Sequence, residues 1–125
     1  MLINLTNHPS AKWGEEQTKI AQELYGTTND MAFPQIDPAA SSAEVKQLAK
    51  TYFDKIMTIA KQQGNPDRPF AVHIQGEFTF VFALATMLKG SGIKCIASTT
   101  ERKSLEKPDG TKISVFSFIQ FREYL

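Results

Sequence analysis

A short apolar run followed at once by an apolar helix is the feature that most limits the folds open to this chain. Residues 69–74 read PFAVHI between turn residues, which is typical of a central strand buried on both faces. Gln75, Gly76 and Glu77 then lead into a helix predicted over residues 78–89 that is apolar nearly all round. A strand buried on both faces needs helices on both sides of a mostly parallel sheet. The chain is therefore predicted to be an α/β protein.

The rest of the sequence supplies the other elements of such a sheet. Further strands are predicted at residues 2–5, 31–33, 93–97 and 113–121, the last one antiparallel to its neighbour. Helices are predicted from Trp13 to Leu24, with a stop at residues 26–29, and from a Ser41 or Ser42 cap to a stop at residues 64–67. We expect a Rossmann-like open, mostly parallel sheet of about five strands with an antiparallel C-terminal edge strand, in one domain spanning residues 1–125.

Composition and charge exclude several classes of protein. A length of 125 residues fits one domain and leaves no room for a second. The net charge of +1 argues against a partner such as duplex DNA, although a local basic pocket for a small anion remains compatible with it. The single cysteine, Cys95, allows neither an internal disulfide nor a cysteine zinc cage, and it suits a reducing cytoplasm. The longest apolar run, residues 78–88, is about half of a membrane-spanning helix, so no membrane anchor is expected.

Three polar clusters follow the first, third and fourth predicted strands. Ligands of mostly parallel sheets collect at the carboxyl ends of the strands, so we expect these clusters to converge there. They supply these candidate ligand-binding and catalytic residues: Asn7, His8, Ser10, Gln75, Gly76, Glu77, Thr79, Ser98, Thr99, Thr100 and Arg102. Two histidines without a shared helical face predict no metal site, and no cofactor is expected.

Each candidate also has a structural interpretation. Gly76 could let backbone N–H groups approach a phosphate, or it could merely form a tight turn. Glu77 could act as a base toward a ribose hydroxyl, or it could stabilise the first turn of its helix. His8 could be a general acid or base, or a loop histidine bound to backbone. Arg102 could neutralise a phosphate, whereas the neighbouring Lys103 could equally belong to a solvated loop.

Three other residues are assigned to the core, and two features stay open. Trp13, His73 and Cys95 are expected to pack inside the domain. The segment from Lys103 to Lys112 fits a mobile lid and an idle hairpin turn equally well. The apolar third helix should be covered on two sides, by the sheet and by another element or chain, and a dimer interface is the simplest cover.

Four segments of the sequence resemble small CRISPR-associated proteins of type III loci. These segments are LINLTNHPS at residues 2–10, HIQGE at residues 73–77, IASTTER at residues 96–102 and FIQFREY at residues 118–124. The resemblance spans almost the whole chain. It is to stand-alone relatives of the CRISPR-associated Rossmann fold (CARF) domain, a group that includes ring nucleases of cyclic oligoadenylate messengers.

The resemblance implies a homodimer that binds a cyclic oligoadenylate, most simply cyclic tetra-adenylate, across its two-fold axis. It implies a metal-independent ring nuclease, in which a ribose 2′-hydroxyl attacks the adjacent phosphate and leaves a cyclic phosphate and a free 5′-hydroxyl. Phosphate-loop contacts would come from Gly76 and Thr79, and catalytic support from His8, Glu77 and Arg102. The hydroxyl contacts would come from Asn7, Ser10, Ser98 and Thr99.

Other functions remain open at this point. A sponge or sensor would bind the same messenger without cleaving it, with nearly the same contacts. An interaction module would dock its apolar third helix onto a larger CRISPR complex. An unrelated metabolic nucleotide-binding enzyme is disfavoured, because the sequence has neither a GxGxxG fingerprint nor a Walker lysine pattern.

Overall fold

A five-stranded mixed sheet forms the centre of the protein in the computed structural model, which describes residues 1–63 and 67–125. The strands are β1 (Leu2–Leu5), β2 (Thr28–Asp30), β3 (Ala71–Ile74), β4 (Lys94–Glu106) and β5 (Lys112–Glu123). The helices are α1 (Glu15–Tyr25), α2 (Ser42–Gln62) and α3 (Phe78–Gly90), with a short 3-10 turn at Ser10–Lys12. The strand order is β2-β1-β3-β4-β5, and only the β4–β5 pair is antiparallel. The predicted Rossmann-like open sheet with an antiparallel edge strand is confirmed.

Helices cover both faces of the sheet. Successive side chains of a strand point to opposite faces, and β1 and β3 are buried at every position. One face carries Ile3, Leu5, Val72 and Ile74 and packs against α2 and α3. The other face carries Leu2, Ala71 and Ile96 and packs against α1 and its neighbour Trp13. Trp13 and Cys95 are both buried, which confirms their assignment to the core.

A capping box starts α2 at the serine pair that the sequence indicates. The Ser41 hydroxyl accepts a hydrogen bond from the Glu44 N–H at 3.1 Å, and the Glu44 carboxylate accepts one from the Ser41 N–H at 3.3 Å. These bonds satisfy donors that the first turn of a helix otherwise leaves open. Ser41 is therefore the cap, and Ser42 is the first helical residue.

The last two strands extend far beyond the rest of the sheet. Pairing between β3 and β4 ends at His73 and Ile96, whereas β4 and β5 stay paired out to Glu106 and Lys112. From residue 97 onward β4 therefore has β5 as its only partner strand among the described residues, and its ten further residues reach roughly 30 Å. We call residues 100–118 the ribbon. It leaves the sheet at the carboxyl end of the parallel strands.

Two strand predictions are wrong, and one affects the candidate site. The second strand is Thr28–Asp30 and not residues 31–33, so residues predicted to stop α1 pair with β1 instead. The fourth strand does not end at Ser98. The polar run from Ser98 to Arg102 lies inside β4. The segment from Lys103 to Lys112, whose sequence fits a lid and an idle hairpin turn equally well, is the outer end of the β4–β5 hairpin and is closed by a turn at residues 107–111. The predicted stop at residues 64–66 lies outside the described residues, and α2 ends at Gln62.

Helix length and polarity bear on membrane insertion. Within residues 1–63 and 67–125, no helix has the length and apolar character needed to cross a bilayer.

Replacing the α2 cap tests how much the capping box contributes. We expect Ser41→Ala to lower the free energy of unfolding by about 1 kcal/mol, because the Glu44 N–H loses its acceptor. Urea unfolding followed by circular dichroism measures this change. Ser42→Ala is the matched control and should change stability by less than about 0.5 kcal/mol. Equal effects of the two substitutions would contradict the assignment of the cap.

Candidate functional site

The chain reverses direction across the sheet between β1 and β3. From β1, the path through α1 leads to β2 on one side, whereas β3 lies on the other side of β1. Loops that leave neighbouring strands toward opposite faces open a crevice at the carboxyl ends, where open α/β sheets bind ligands. The loop after β1 and the loop after β3 border this crevice. They contain two of the three predicted polar clusters.

Asn4, in β1, holds the first of these loops in place. Its Nδ2 donates to the His8 carbonyl at 3.0 Å and to Asp30 Oδ1 at 2.8 Å. Its Oδ1 accepts from the Thr6 hydroxyl at 3.1 Å and lies 2.8 Å from His73 Nδ1. Asn4 is 1% exposed, so these partners replace the water that its amide loses on burial. One side chain thus links β2, β1, β3 and the loop.

The loop fixes the backbone of His8 and leaves its imidazole exposed. The His8 carbonyl also accepts from Trp13 Nε1 at 3.2 Å, and the Thr6 hydroxyl, whose single proton is shared between this carbonyl and Asn4 Oδ1, lies 3.1 Å away. Asn7 and His8 both present exposed side chains at the crevice. A ligand there would meet two polar groups on a loop whose main chain is firmly held.

Ser10 is already engaged with β2. Its N–H donates to Asp30 Oδ1 at 3.0 Å and its hydroxyl donates to Asp30 Oδ2 at 2.9 Å. Burial raises the pKa of Asp30, but hydrogen bonds from Asn4 and Ser10 outweigh it and hold that pKa below the usual value. A contact between the Ser10 hydroxyl and a ligand would have to compete with this carboxylate.

His73 is a neutral buried histidine with a fixed tautomer. Both N–H groups of the Asn4 amide are used elsewhere, so Asn4 Oδ1 faces His73 Nδ1, which must carry the proton. Burial lowers the pKa of His73 to about 4, an effect that Gln75 opposes and His8 reinforces. Trp13 and Phe121 pack edge-on against the ring at 5.5 and 5.4 Å. His73 Nε2 is buried without a hydrogen-bond partner among the described residues.

Gln75 and Ser98 are brought together, and each binds the other. Gln75 Oε1 accepts from the Ser98 hydroxyl at 2.7 Å and from the Ser98 N–H at 3.2 Å. Gln75 Nε2 donates to the Ser98 carbonyl at 3.2 Å. The end of β3 is thereby tied to β4 at the base of the ribbon. The sequence predicts Gln75 and Ser98 as neighbours in the site, and this geometry is compatible with that prediction. Their polar atoms, however, are directed at one another.

The contacts of Gly76 and Glu77 support their structural interpretations. A Cβ on Gly76 would lie 2.3 Å from Cζ of Phe33, so the glycine makes room for that ring. The Glu77 carboxylate accepts from the N–H groups of Thr79 and Phe80 and from the Thr79 hydroxyl. These hydrogen bonds lower the pKa of Glu77, and the bond from the Phe80 N–H has the largest effect. The carboxylate fills the start of α3 where an anion would otherwise bind.

The remaining candidates extend outward along β4. The Thr99 hydroxyl donates to the Gln120 carbonyl at 3.3 Å, and Thr100 is exposed. Arg102 donates from Nε and Nη2 to the Ser114 hydroxyl at 3.1 and 2.9 Å. At about 3.4 Å per residue, Arg102 lies roughly 14 Å beyond Ser98. Arg102 is therefore not part of the cluster around Gln75, and it would contact a ligand only if that ligand extended along the ribbon.

Asn4, Asp30 and His73 build the site, yet the sequence analysis did not select them. Asn4 and His73 are polar residues inside strands that are otherwise apolar, and they face each other across the β1–β3 pair. A buried polar side chain needs a partner, so this pairing was the available signal. Asp30 carried no such signal, because β2 was predicted at the wrong residues.

The close approach of Phe33 to Gly76 predicts a coupled pair of substitutions. We expect Gly76→Ala to cost about 1–3 kcal/mol of unfolding free energy, because the ring must leave its edge contact with Phe80. In a Phe33→Ala background the same change should cost far less. Gly90→Ala, where a Cβ meets open space, is the control and should be neutral or stabilising. Equal costs of Gly76→Ala in both backgrounds, measured by urea unfolding, would contradict the contact.

Burial of neutral His73 predicts a pH-dependent stability. Because its folded pKa of about 4 lies below the ordinary histidine value of 6.5, the unfolded state takes up the proton first as pH falls. Stability from this group is complete above pH 6.5 and is lost toward pH 4, by roughly 3 kcal/mol at about 1.4 kcal/mol per pKa unit.

Urea unfolding at a series of pH values measures this loss. His73→Leu should flatten the slope of stability against pH between pH 6.5 and 5, whereas His8→Ala should keep it. NMR of the His8→Ala variant, which retains one histidine, should show no imidazole titration above about pH 5. A titration midpoint near neutral pH would overturn the assignment.

Comparison with known proteins places the chain in a family. The sequence model of the family described as the Uncharacterized protein MJ1673 family matches residues 1–122. No curated protein and no solved structure matches the chain. The matched region covers all five strands and all three helices, except for the last residue of β5. The chain therefore belongs to the Uncharacterized protein MJ1673 family.

Proposed function

We propose that the protein is a cytoplasmic, homodimeric ring nuclease that binds a cyclic oligoadenylate, most simply cyclic tetra-adenylate, and cleaves it without a metal ion. The observation that carries the proposal is the convergence of the loops after β1 and β3 at one edge of the sheet. It brings Asn7 and His8 to the same edge of the sheet as Gln75 and Ser98. The sequence resemblance supplies the ligand class, and the crevice supplies a place where ribose and phosphate groups could be held.

The firm loop after β1 suits a reaction that depends on alignment. Holding a ribose hydroxyl in line with a phosphate provides much of the rate gain in such intramolecular attacks. The His8 carbonyl accepts from Asn4 Nδ2 and Trp13 Nε1, so its exposed imidazole projects from a fixed backbone position. Asn7 lies beside it, also exposed. These two residues are the ones we assign to the reacting ribose.

The proposed reaction consumes neither water nor a cofactor. The 2′-oxygen forms a bond to the adjacent phosphorus, and the bond from phosphorus to the 5′-oxygen breaks. The proton lost from the 2′-hydroxyl is matched by the proton gained at the 5′-oxygen. His8 is the group we assign to one of these transfers, and Arg102 is assigned to the phosphate charge. Glu77 serves as the α3 cap and is not assigned a proton transfer.

One observation favours binding without cleavage as a second candidate. Several predicted contact groups already hold protein partners, namely Ser10 with Asp30, Gln75 with Ser98 and Glu77 with its own helix. His73 is buried and remains neutral at neutral pH. Such a site could hold a ring through His8, Asn7 and backbone groups while providing too little acid and base for turnover.

Incubation with nucleotide separates the two candidates. Purified protein with cyclic tri-, tetra- or hexa-adenylate in EDTA is followed by chromatography for products and by melting temperature for binding. We expect one ring to be converted to linear products with a cyclic phosphate end. Stabilisation without products would establish the sponge or sensor. No response to any ring would contradict both and favour an interaction module.

Substitutions assign the roles within the site. We expect His8→Ala and Arg102→Ala to reduce single-turnover cleavage by about tenfold or more, because each removes support for the transition state. Arg102→Ala should reduce turnover more than binding. Lys112→Ala removes a cation at the far end of the ribbon and is the control, with cleavage expected to stay within about twofold. Unchanged turnover in Arg102→Ala would remove Arg102 from the mechanism.

A further inference from the structure

Two exposed apolar surfaces on this chain cannot reach one another. The first, which we call the helix stripe, consists of Phe78 and Phe82 of α3 with the C-terminal Leu125; the two rings are 87% and 76% exposed. The second, the ribbon face, consists of Leu105, Ile113 and Val115, which are 50%, 39% and 37% exposed. Exposed apolar surface of this extent on a soluble domain marks an interaction site.

The helix stripe is shaped to receive side chains. Phe78 and Phe82 are four residues apart, so they lie on one face of α3. Phe82 forms a ridge between two grooves of about 710 and 730 Å³. One groove is closed by the start of α2 at Val45, and the other by the C-terminal pair Tyr124 and Leu125. Apolar side chains of a partner could enter on both sides of the ridge.

Beyond a bulge between Thr99 and Thr100, the ribbon face continues the face of β4 that packs under α2 and α3. Leu105 pairs with Ile113, and Lys103 pairs with Val115, and directly paired residues share a face. Alternation along β4 from Cys95, which packs in the core under α2 and α3, puts Lys103 and Leu105 on that side. The opposite face carries Arg102 and Phe116. The ribbon is thus apolar toward the α3 side near its tip.

The ribbon does not bury its own apolar face. It leaves the sheet at the carboxyl edge and runs away from the body of the chain, and residues 100–116 are all exposed. Folding it back onto its own α3 would break the pairing that forms it. A bare two-stranded hairpin is only marginally stable in water. A surface from outside the chain would bury this apolar face and stabilise the ribbon.

We infer that two copies of the chain clasp each other, with the ribbon face of each seated on the helix stripe of the other. A two-fold axis lets one contact occur twice, because each copy carries both halves. The inference deepens the proposed function by naming the surface of the homodimer, and it rests on that function only for the existence of a homodimer. It does not require the ring to be cleaved.

The available apolar area is near the lower limit of a specific interface. Taking about 200 Å² for a whole phenylalanine and about 100 Å² for an aliphatic side chain, the exposed parts of both surfaces amount to roughly 550 Å² per chain. An isologous pair buries this area twice, or about 1,100 Å² before flanking polar atoms are counted. Specific interfaces begin at about 1,000 Å².

The first test is the mass of the protein in solution, without nucleotide. Light scattering after gel filtration should give twice the chain mass of 14.0 kDa. Val115→Glu and Phe82→Glu should each give a monomer at the same concentration. Phe116→Glu, on the opposite ribbon face, and Leu24→Glu, on α1, are matched controls on exposed apolar residues and should stay dimeric. Circular dichroism establishes that each variant is folded.

The second test identifies the contact itself. Phe82→Cys and Val115→Cys chains, carrying different tags, are mixed and treated with a short bismaleimide. Cross-linking between the two different chains is expected, with little within either variant alone. The native thiol does not interfere, because Cys95 is 1% exposed and burial raises its pKa to about 11.

The outcomes separate this inference from the nuclease proposal. A dimer that forms the mixed cross-link and falls apart in both glutamate variants supports the clasp. A monomer, a dimer without the mixed cross-link, or a dimer unaffected by Val115→Glu overturns it. Ring cleavage by a protein that proves monomeric would leave the activity standing without the clasp. A clasped dimer that cleaves none of the rings would support the clasp and contradict the nuclease activity.

Discussion

The amide of Asn4 is the interaction on which the arrangement of the site depends. It is a neutral polar group at the centre of a buried parallel sheet, where an amide without partners would cost several kcal/mol. All of its hydrogen-bonding capacity is used: two bonds donated, to His8 and Asp30, and two contacts at the oxygen, from Thr6 and His73. Because those partners lie on β2, on β3 and in the loop after β1, one side chain sets the relative positions of all three.

This network explains how a very short edge strand is held. β2 has three residues, none of them buried, so burial contributes little to its place in the sheet. Asp30 compensates through bonds to Asn4 and Ser10, which join the end of β2 to β1 and to the turn before α1. The lowered pKa of Asp30 reflects the same bonds. Hydrogen bonds therefore contribute more than packing to holding β2 in place on this side of the crevice.

Burial patterns in the sequence predict the central part of the fold well. The apolar runs of β1 and β3, the Ser41 cap and the uniformly apolar α3 each carry their own signal, and the structure confirms them. β2 and the outer half of β4 carry no such signal, because they are exposed and are formed by backbone pairing. A strand without a buried face shows no alternation of apolar and polar residues. The polar run from Ser98 to Arg102 therefore resembled a loop.

The sequence predicts which clusters of polar residues form the candidate site, but it does not predict the contacts between their side chains. Strand ends converge because of topology alone, so the position of Asn7, His8 and Gln75 at one edge followed from the order of elements. The partner of Gly76 is Phe33, which lies 43 residues earlier in a loop without regular structure. Spacing in the sequence contains no record of such a pair. The same holds for the bonds between Gln75 and Ser98.

The source of positive charge at the crevice connects ligand binding to assembly. The N-terminus of α3 is occupied by the Glu77 carboxylate, so a phosphate there would meet a negative charge instead of open N–H groups. Compensating charge must come from cations, and Arg102 lies on the ribbon face that continues from Ser98 and Gln75. Val115 lies on the other face. A ribbon seated on a partner through Val115 would leave Arg102 on its open face, but the grooves beside Phe82 that would receive it are also lined by Gln75, Gly76 and Thr79, so a ring bound at those residues would compete with assembly.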